Sequence, residues 1–318
     1  MRMKKFLSLV GVGALTLSVG CRQQKVFEEP MDIAALNGPT GMGMTKVMAD
    51  SNENYRISIY QSPDEITGKI ISGELEVACV PSNLAAVLSA KTENNITLLG
   101  VNTLGVLYIV EKGKNVSSIE ALKGKKIITS GKGSTPEYIL NQILEGAGLE
   151  VGKDVEVEYL ANHTEVINAL LAEESTIALL PEPHVTIAQM KIPELRVALD
   201  LNEAWEEQEG TKLPTGVVIA RKDYVQAHKE AIETFLNDYA ASVEFVNEKQ
   251  EEAAKLMVEV GLFEKEEIAK KSIPNAHIVF EEGKTAKQDL EQFYNILKEE
   301  NPKAIGGSLP DESFYYSH

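Results

Sequence analysis

The chain has little cysteine, little positive charge and no long apolar stretch, and each shortage removes a class of protein. Two cysteines among 318 residues rule out the disulfide framework of a small secreted scaffold. Lys and Arg number 31 against 48 Asp and Glu, a formal charge of −17. That balance repels phosphate backbones and excludes a general nucleic-acid binder. The histidines are His163, His184, His228, His277 and His318. They show neither metal-ligand spacing nor a His-rich loop, so no metal and no cofactor is expected, although His163 and His184 both fall at turns and could meet. No G-x-S-x-G or S-x-x-K nucleophile motif occurs, which speaks against an enzyme. What is present is ordinary globular matter, 43% hydrophobic and 25% charged, in a length of about two ~150-residue domains.

Arg2, Lys4 and Lys5 precede an uncharged run at 6–19, short of the ~20 residues that cross a bilayer. This pattern predicts an export signal over 1–20. Gly20-Cys21 resembles the end of a bacterial lipoprotein signal, in which the Cys is lipidated and becomes the new N-terminus. Ser18 stands where that signal usually has Leu. Residues 21–30 then read as the lipidated Cys and a polar tether. Cys79, in the apolar stretch 77–80, is left as a core residue.

From residue 31 short apolar strands alternate with helical patterns, and Gly, Pro, Ser, Thr or Asn stand at the junctions, the rhythm of βα units and mostly parallel sheets. Strands are predicted at 31–36, 55–60, 76–80 and 96–101, then at 126–130, 155–160, 176–180 and 195–201. The apolar run 104–111 reads as a crossing to a second domain and 217–220 as the return. After Arg221 the chain reads as helical to about Asn301, packing back on the first domain.

SIEALKGKKI (118–127), GKGSTPEYILNQILEGAGL (131–149), LLPEPHVTIA (179–188) and LPTGVVIARKDYV (213–225) resemble the extracytoplasmic solute-binding proteins of ABC importers, in the branch serving nitrate, sulfonates, taurine and thiamine-precursor pyrimidines. The resemblance covers essentially the whole chain. It implies an α/β, two-lobed periplasmic binding protein-like fold of type 2: lobe 1 from 31–108 plus 217–318, lobe 2 from 109–216, joined by two crossings. It further implies a monomer that captures a small polar solute between the lobes and delivers it to an ABC permease and its ATPase, touching the membrane only through lipid on Cys21. The alternatives are an enzyme on the same fold, similar to the chorismate dehydratases, and a sensor lipoprotein without transport.

Ligands of open α/β sheets bind beyond the carboxyl ends of the strands, where helix N-termini offer unpaired N–H groups and a positive dipole end. The turns there nominate Gly38, Thr40, Gly41, Tyr60, Gln61, Ser82 and Asn83 from the first series, and Lys132, Ser134 and Thr135 from the second. Gly38 to Thr45 follows the P-loop spacing, but Met44 stands where that loop needs Lys, so nucleotide binding is not expected. Glu182, between two prolines, reads as a partner for an amino group or protonated ring nitrogen, and Tyr60 or Trp205 as a stacking surface. Together they tilt the expected solute toward a heterocycle or zwitterion over a simple sulfonate.

Overall fold

Residues 31–36 are buried along nearly their whole length, as a parallel strand covered on both faces must be, and they form an interior strand of the first sheet. This computed structural model describes residues 27–50, 53–172 and 176–316. The leader, Cys21, most of the tether and His318 lie outside the described residues. β1 (Met31–Leu36) leads into the short helices α1 (Pro39–Met42) and α2 (Thr45–Ala49). β2 (Tyr55–Tyr60), α3 (Pro63–Ser72), β3 (Val77–Pro81), α4 (Ser82–Lys91) and β4 (Ile96–Thr103) complete the first run. The second comprises β5 (Leu107–Lys112), β6 (Lys126–Ser130), α5 (Thr135–Gly146), β7 (Glu156–Leu160), α6 (His163–Leu171), β8 (Ile177–Pro181), α7 (His184–Lys191) and β9 (Leu195–Asp200). After α8 (Leu201–Glu209) and β10 (Gly216–Arg221) come α9 (Lys222–Ala227), α10 (Lys229–Glu248), α11 (Gln250–Glu259), α12 (Glu266–Ser272), β11 (Ile278–Glu281) and α13 (Gly283–Glu300).

The strands form two sheets, ordered β11-β4-β10-β3-β1-β2 and β7-β6-β8-β5-β9. Apart from the edge strand β11, the two orders are the same. In each, a strand arriving from the other half slots antiparallel beside the third strand of the parallel set: β10 beside β3 and β5 beside β8. This is the expected two-lobed α/β architecture. Leu107 and Tyr108, expected in lobe 1, already pair in the second sheet, and Gly216, expected in lobe 2, pairs in the first, because pairing begins as soon as each crossing ends.

One further expectation is corrected. The C-terminal region is not wholly helical: β11 adds an edge strand to the first sheet. The stretch after β9 forms α8 before the return, and this helix carries Trp205. Apolar packing divides into three clusters. One runs through both lobes, from Leu36 and Ile70 to Ile109, Ile139, Trp205 and Phe293. A second lies under α10 and α11 in lobe 1, and the third under α6 and α7 in lobe 2. Cys79 is in the second cluster, its thiol pushed up to about 12 by burial, as suits a core residue.

Candidate functional site

The crossings fix which edges of the sheets face each other. β5 begins at Leu107 opposite Pro181, the last residue of β8, and β10 begins at Gly216 opposite Pro81, the last residue of β3. Each connection therefore leaves one carboxyl edge and enters at the other, and the two carboxyl edges confront one another across a cleft. Both lobes fasten that junction in the same way. The Ser82 N–H donates to the Thr215 carbonyl, and the Glu182 N–H donates to the Val106 carbonyl, both at 3.0 Å.

On the lobe 1 rim, Gly38 sits at φ +112, a conformation open to glycine, and Pro39 begins α1 directly after it. Thr40 is half-buried and its carbonyl accepts from the Asn102 amide at 2.9 Å. Gly41 is buried against β1: a Cβ there would stand 2.2 Å from the Leu36 carbonyl oxygen, so the turn can fold onto the strand only without a side chain. Asn37 donates to Gln61 at 2.9 Å, tying the turn after β1 to the one after β2, beside half-buried Tyr60.

On the lobe 2 rim, the order β7-β6-β8 sets the N-termini of α6, α5 and α7 side by side. The Ser130 hydroxyl lies 2.7 Å from His163 Nδ1, and the His163 and His184 rings are 4.5 Å apart. Lys132 stands 5.6 Å over the Tyr159 ring. α6 closes its own start, with Asn162 accepting from the Glu165 N–H and Glu165 accepting from the Ala161 N–H, a capping box. α5 begins at Thr135 without a side-chain cap, because the Ser134 hydroxyl turns back to the Gly131 carbonyl. The Gly133 N–H in that turn already donates to the Glu137 carboxylate, so it holds an anionic oxygen supplied by the chain itself.

Burial holds the histidine pair neutral. It lowers His163, and it lowers His184 to about 4, with the neighbouring His163 adding to the effect. The fold thus prefers neutral His184, and its contribution is present above pH ~6.5, the ordinary histidine value, and lost as pH falls toward 4. The protein should lose roughly 3 kcal/mol against a His184→Asn variant over that interval. Glu182 works in the opposite sense. Burial raises it to about 7, so its contribution is full near pH 4.5 and lost as pH rises through 7. Against Glu182→Gln the protein should gain on acidification. Denaturant titrations of both variants from pH 8 to 4 check this, and parallel curves for variant and parent would refute it.

Trp205, Glu182 and Ser82 are not open to a solute, and half-buried Asn83 is bonded elsewhere. Trp205 is 0% exposed and packs edge-on to Phe293 at 5.7 Å, so it has no free face for stacking. Glu182 is 2% exposed. Its carboxylate accepts from the Thr186 N–H and hydroxyl, at 3.2 and 3.0 Å, and from the Asn275 amide. The buried Ser82 hydroxyl donates to the Pro214 carbonyl at 2.8 Å, which locks the return crossing. Asn83 directs its amide to the Ala304 carbonyl, toward the C-terminal segment. Gly38, Thr40, Gly41, Tyr60, Gln61, Lys132, Ser134 and Thr135 stay at the two rims. Sequence reasoning left Ser130, His163, His184, Tyr159 and Asn102 out of the site. The one available signal was the position of the two histidines at turns after parallel strands. Among the described residues no three of His, Cys, Asp and Glu gather in a cluster able to hold a metal.

The family model described as the phosphonate periplasmic substrate-binding protein of ABC transporters matches residues 28–269. The chain belongs to this family. The binding protein thus acts as the extracytoplasmic component that takes up a small solute for an ABC transporter, in accord with the expected function. Solved structures agree on the fold. An ABC transporter protein from Parabacteroides distasonis is 24% identical with a TM-score of 0.78, over 91% of this chain and 99% of that one. The aliphatic sulphonate binding protein SsuA from Escherichia coli is 16% identical with a TM-score of 0.69, over 91% and 92%. The nitrate-binding protein NrtA from Synechocystis is 14% identical with a TM-score of 0.53, over 72% and 66%. No curated protein sequence matches the chain.

Proposed function

We propose that the binding protein carries a small oxyanion of the phosphonate or sulfonate class, gripped between the uncapped start of α5 with Lys132 on lobe 2 and the turns at Gly38–Thr40 and Gln61 on lobe 1. The observation that carries this reading is the lobe 2 rim, where a cation, a helix N-terminus and two neutral imidazoles adjoin. Such a rim binds anionic oxygen without a metal. The heterocycle reading rested on Glu182 with Tyr60 or Trp205; Glu182 and Trp205 are buried, which leaves half-buried Tyr60 alone of the three at the rim. In this proposal the protein is a monomer, held at the outer face of the membrane by lipid on Cys21, and it hands its solute to a permease. It catalyses nothing.

A thermal-shift panel of methylphosphonate, 2-aminoethylphosphonate, taurine, nitrate and an aminopyrimidine tests the solute class. A solute at 100 times its dissociation constant adds ~2.7 kcal/mol. Phosphonates or sulfonates should raise the midpoint and the aminopyrimidine should not. A shift with the aminopyrimidine alone would overturn the proposal.

A further inference from the structure

Where the carboxyl edges of the two sheets approach, the short segment 273–277 between α12 and β11 joins the lobes. It belongs to lobe 1 by packing and pairing: Ile273 and Ala276 lie in the cluster under α10 and α11, the His277 carbonyl accepts from the Leu104 N–H, and Ile278 begins the edge strand. Its polar groups nonetheless reach lobe 2. The Tyr108 hydroxyl donates to the Asn275 carbonyl at 2.7 Å, and the Asn275 amide donates to Glu182 Oε1 at 3.4 Å. His277 Nε2 is 3.8 Å from the Asp200 carboxylate at the end of β9. The other ring nitrogen bonds the Gly105 carbonyl in the first crossing, while the Gly105 N–H is held by Asn202 at 3.0 Å. His277 itself sits at φ +42, a conformation uncommon for a non-glycine residue that persists where surrounding contacts impose it. Beyond the segment, α7 and α12 leave a cavity of about 320 Å³ lined by Thr186, Gln189, Met190 and Lys271.

We propose that residues 273–277 form a latch that holds the lobes at the spacing seen here through contacts other than the Lys132 and Gly38–Thr40 turns, with Asn275 as its positioning residue. Asn275 touches both Tyr108 and Glu182 and neither rim. A contact made only when the lobes are together favours that state by its own free energy, whatever solute lies between them. The latch therefore sets how readily the lobes close. It also gives Glu182 a role other than the solute contact expected from the sequence.

Spin labels at Glu65 on α3 and Glu165 on α6, both exposed, report the width of the cleft in the purified, solute-free protein. Cys21→Ser leaves buried Cys79 as the only native thiol. Asn275→Ala should move the distance distribution to longer values. Tyr108→Phe, which keeps the ring in its packing and removes only the hydroxyl, should do the same and guards against a folding failure of the first variant. If either variant keeps the parent's circular dichroism and melting point and both leave the distances unchanged, the latch does not exist. No solute enters this measurement, so its outcome is separate from that of the oxyanion proposal.

Discussion

Trp205→Ala lowers the stability of the binding protein by about 3–5 kcal/mol and leaves the ranking of its solutes unchanged. The indole is fully buried where α8 meets Phe293 of α13, in the one apolar cluster that passes through both lobes. Its removal opens a void where neither lobe can relax without moving the other. A loss of that size in a chain this long lowers the melting temperature by on the order of 10 °C. Trp205→Phe should cost less, because the indole N–H is buried without a partner and the smaller ring removes that unpaired donor along with some packing. A Trp205→Ala protein that melts like its parent and fails to bind ring-bearing solutes would return the indole to the cleft.

Lys132→Ala weakens a bound phosphonate or sulfonate by about ten- to a hundredfold. The ammonium is exposed, lying over Tyr159 at the turn before α5. A hydrogen bond to a charged group is worth about 1.5–3 kcal/mol, and about 1.4 kcal/mol is tenfold in affinity. The solute-free protein should melt within a few degrees of its parent, since the exposed contact of Lys132 with the Tyr159 ring is worth only ~0.5–1 kcal/mol. The affinity difference should narrow with added salt, which screens an exposed charge. Calorimetric titration of the variant and its parent at two salt concentrations gives both numbers. Equal dissociation constants would remove Lys132 from the site and shift the grip to the imidazole pair.

The parallel strands were legible because they are short, either apolar on both faces like β3 and β8 or alternating like β2, and followed at once by cap residues. β2, for instance, spans Tyr55–Tyr60, as the alternation predicts. β11 was not, since four residues at a sheet edge lack a period to detect between long helices. The site was legible as a set of turns, and only in part as residues. A serine after a strand reads equally as a cap, a solute contact or a lock on a crossing. Ser82 is the lock because the Pro214 carbonyl, 132 positions away, arrives beside it. Glu182 looked available because its cover, Asn275, is 93 positions distant. Trp205 carried a local hint, with Leu201 four residues before it marking one apolar helix face, and both are buried.

The exchange of β5 and β10 between the sheets dictates the order in which the chain can be completed. Among the described residues β4 pairs with β10 and β11 and, at Leu98, with Tyr315, so until residue 216 is made it has no neighbour, and the first sheet stops at β3. The second sheet needs nothing outside Leu107–Asp200. The middle of the chain can therefore close before its beginning. Lobe 1 must wait for contacts of long sequence separation, the slow kind to form. In this extracytoplasmic binding protein, an N-terminal half that cannot finish its sheet until two-thirds of the chain has been synthesised stays open until late in synthesis.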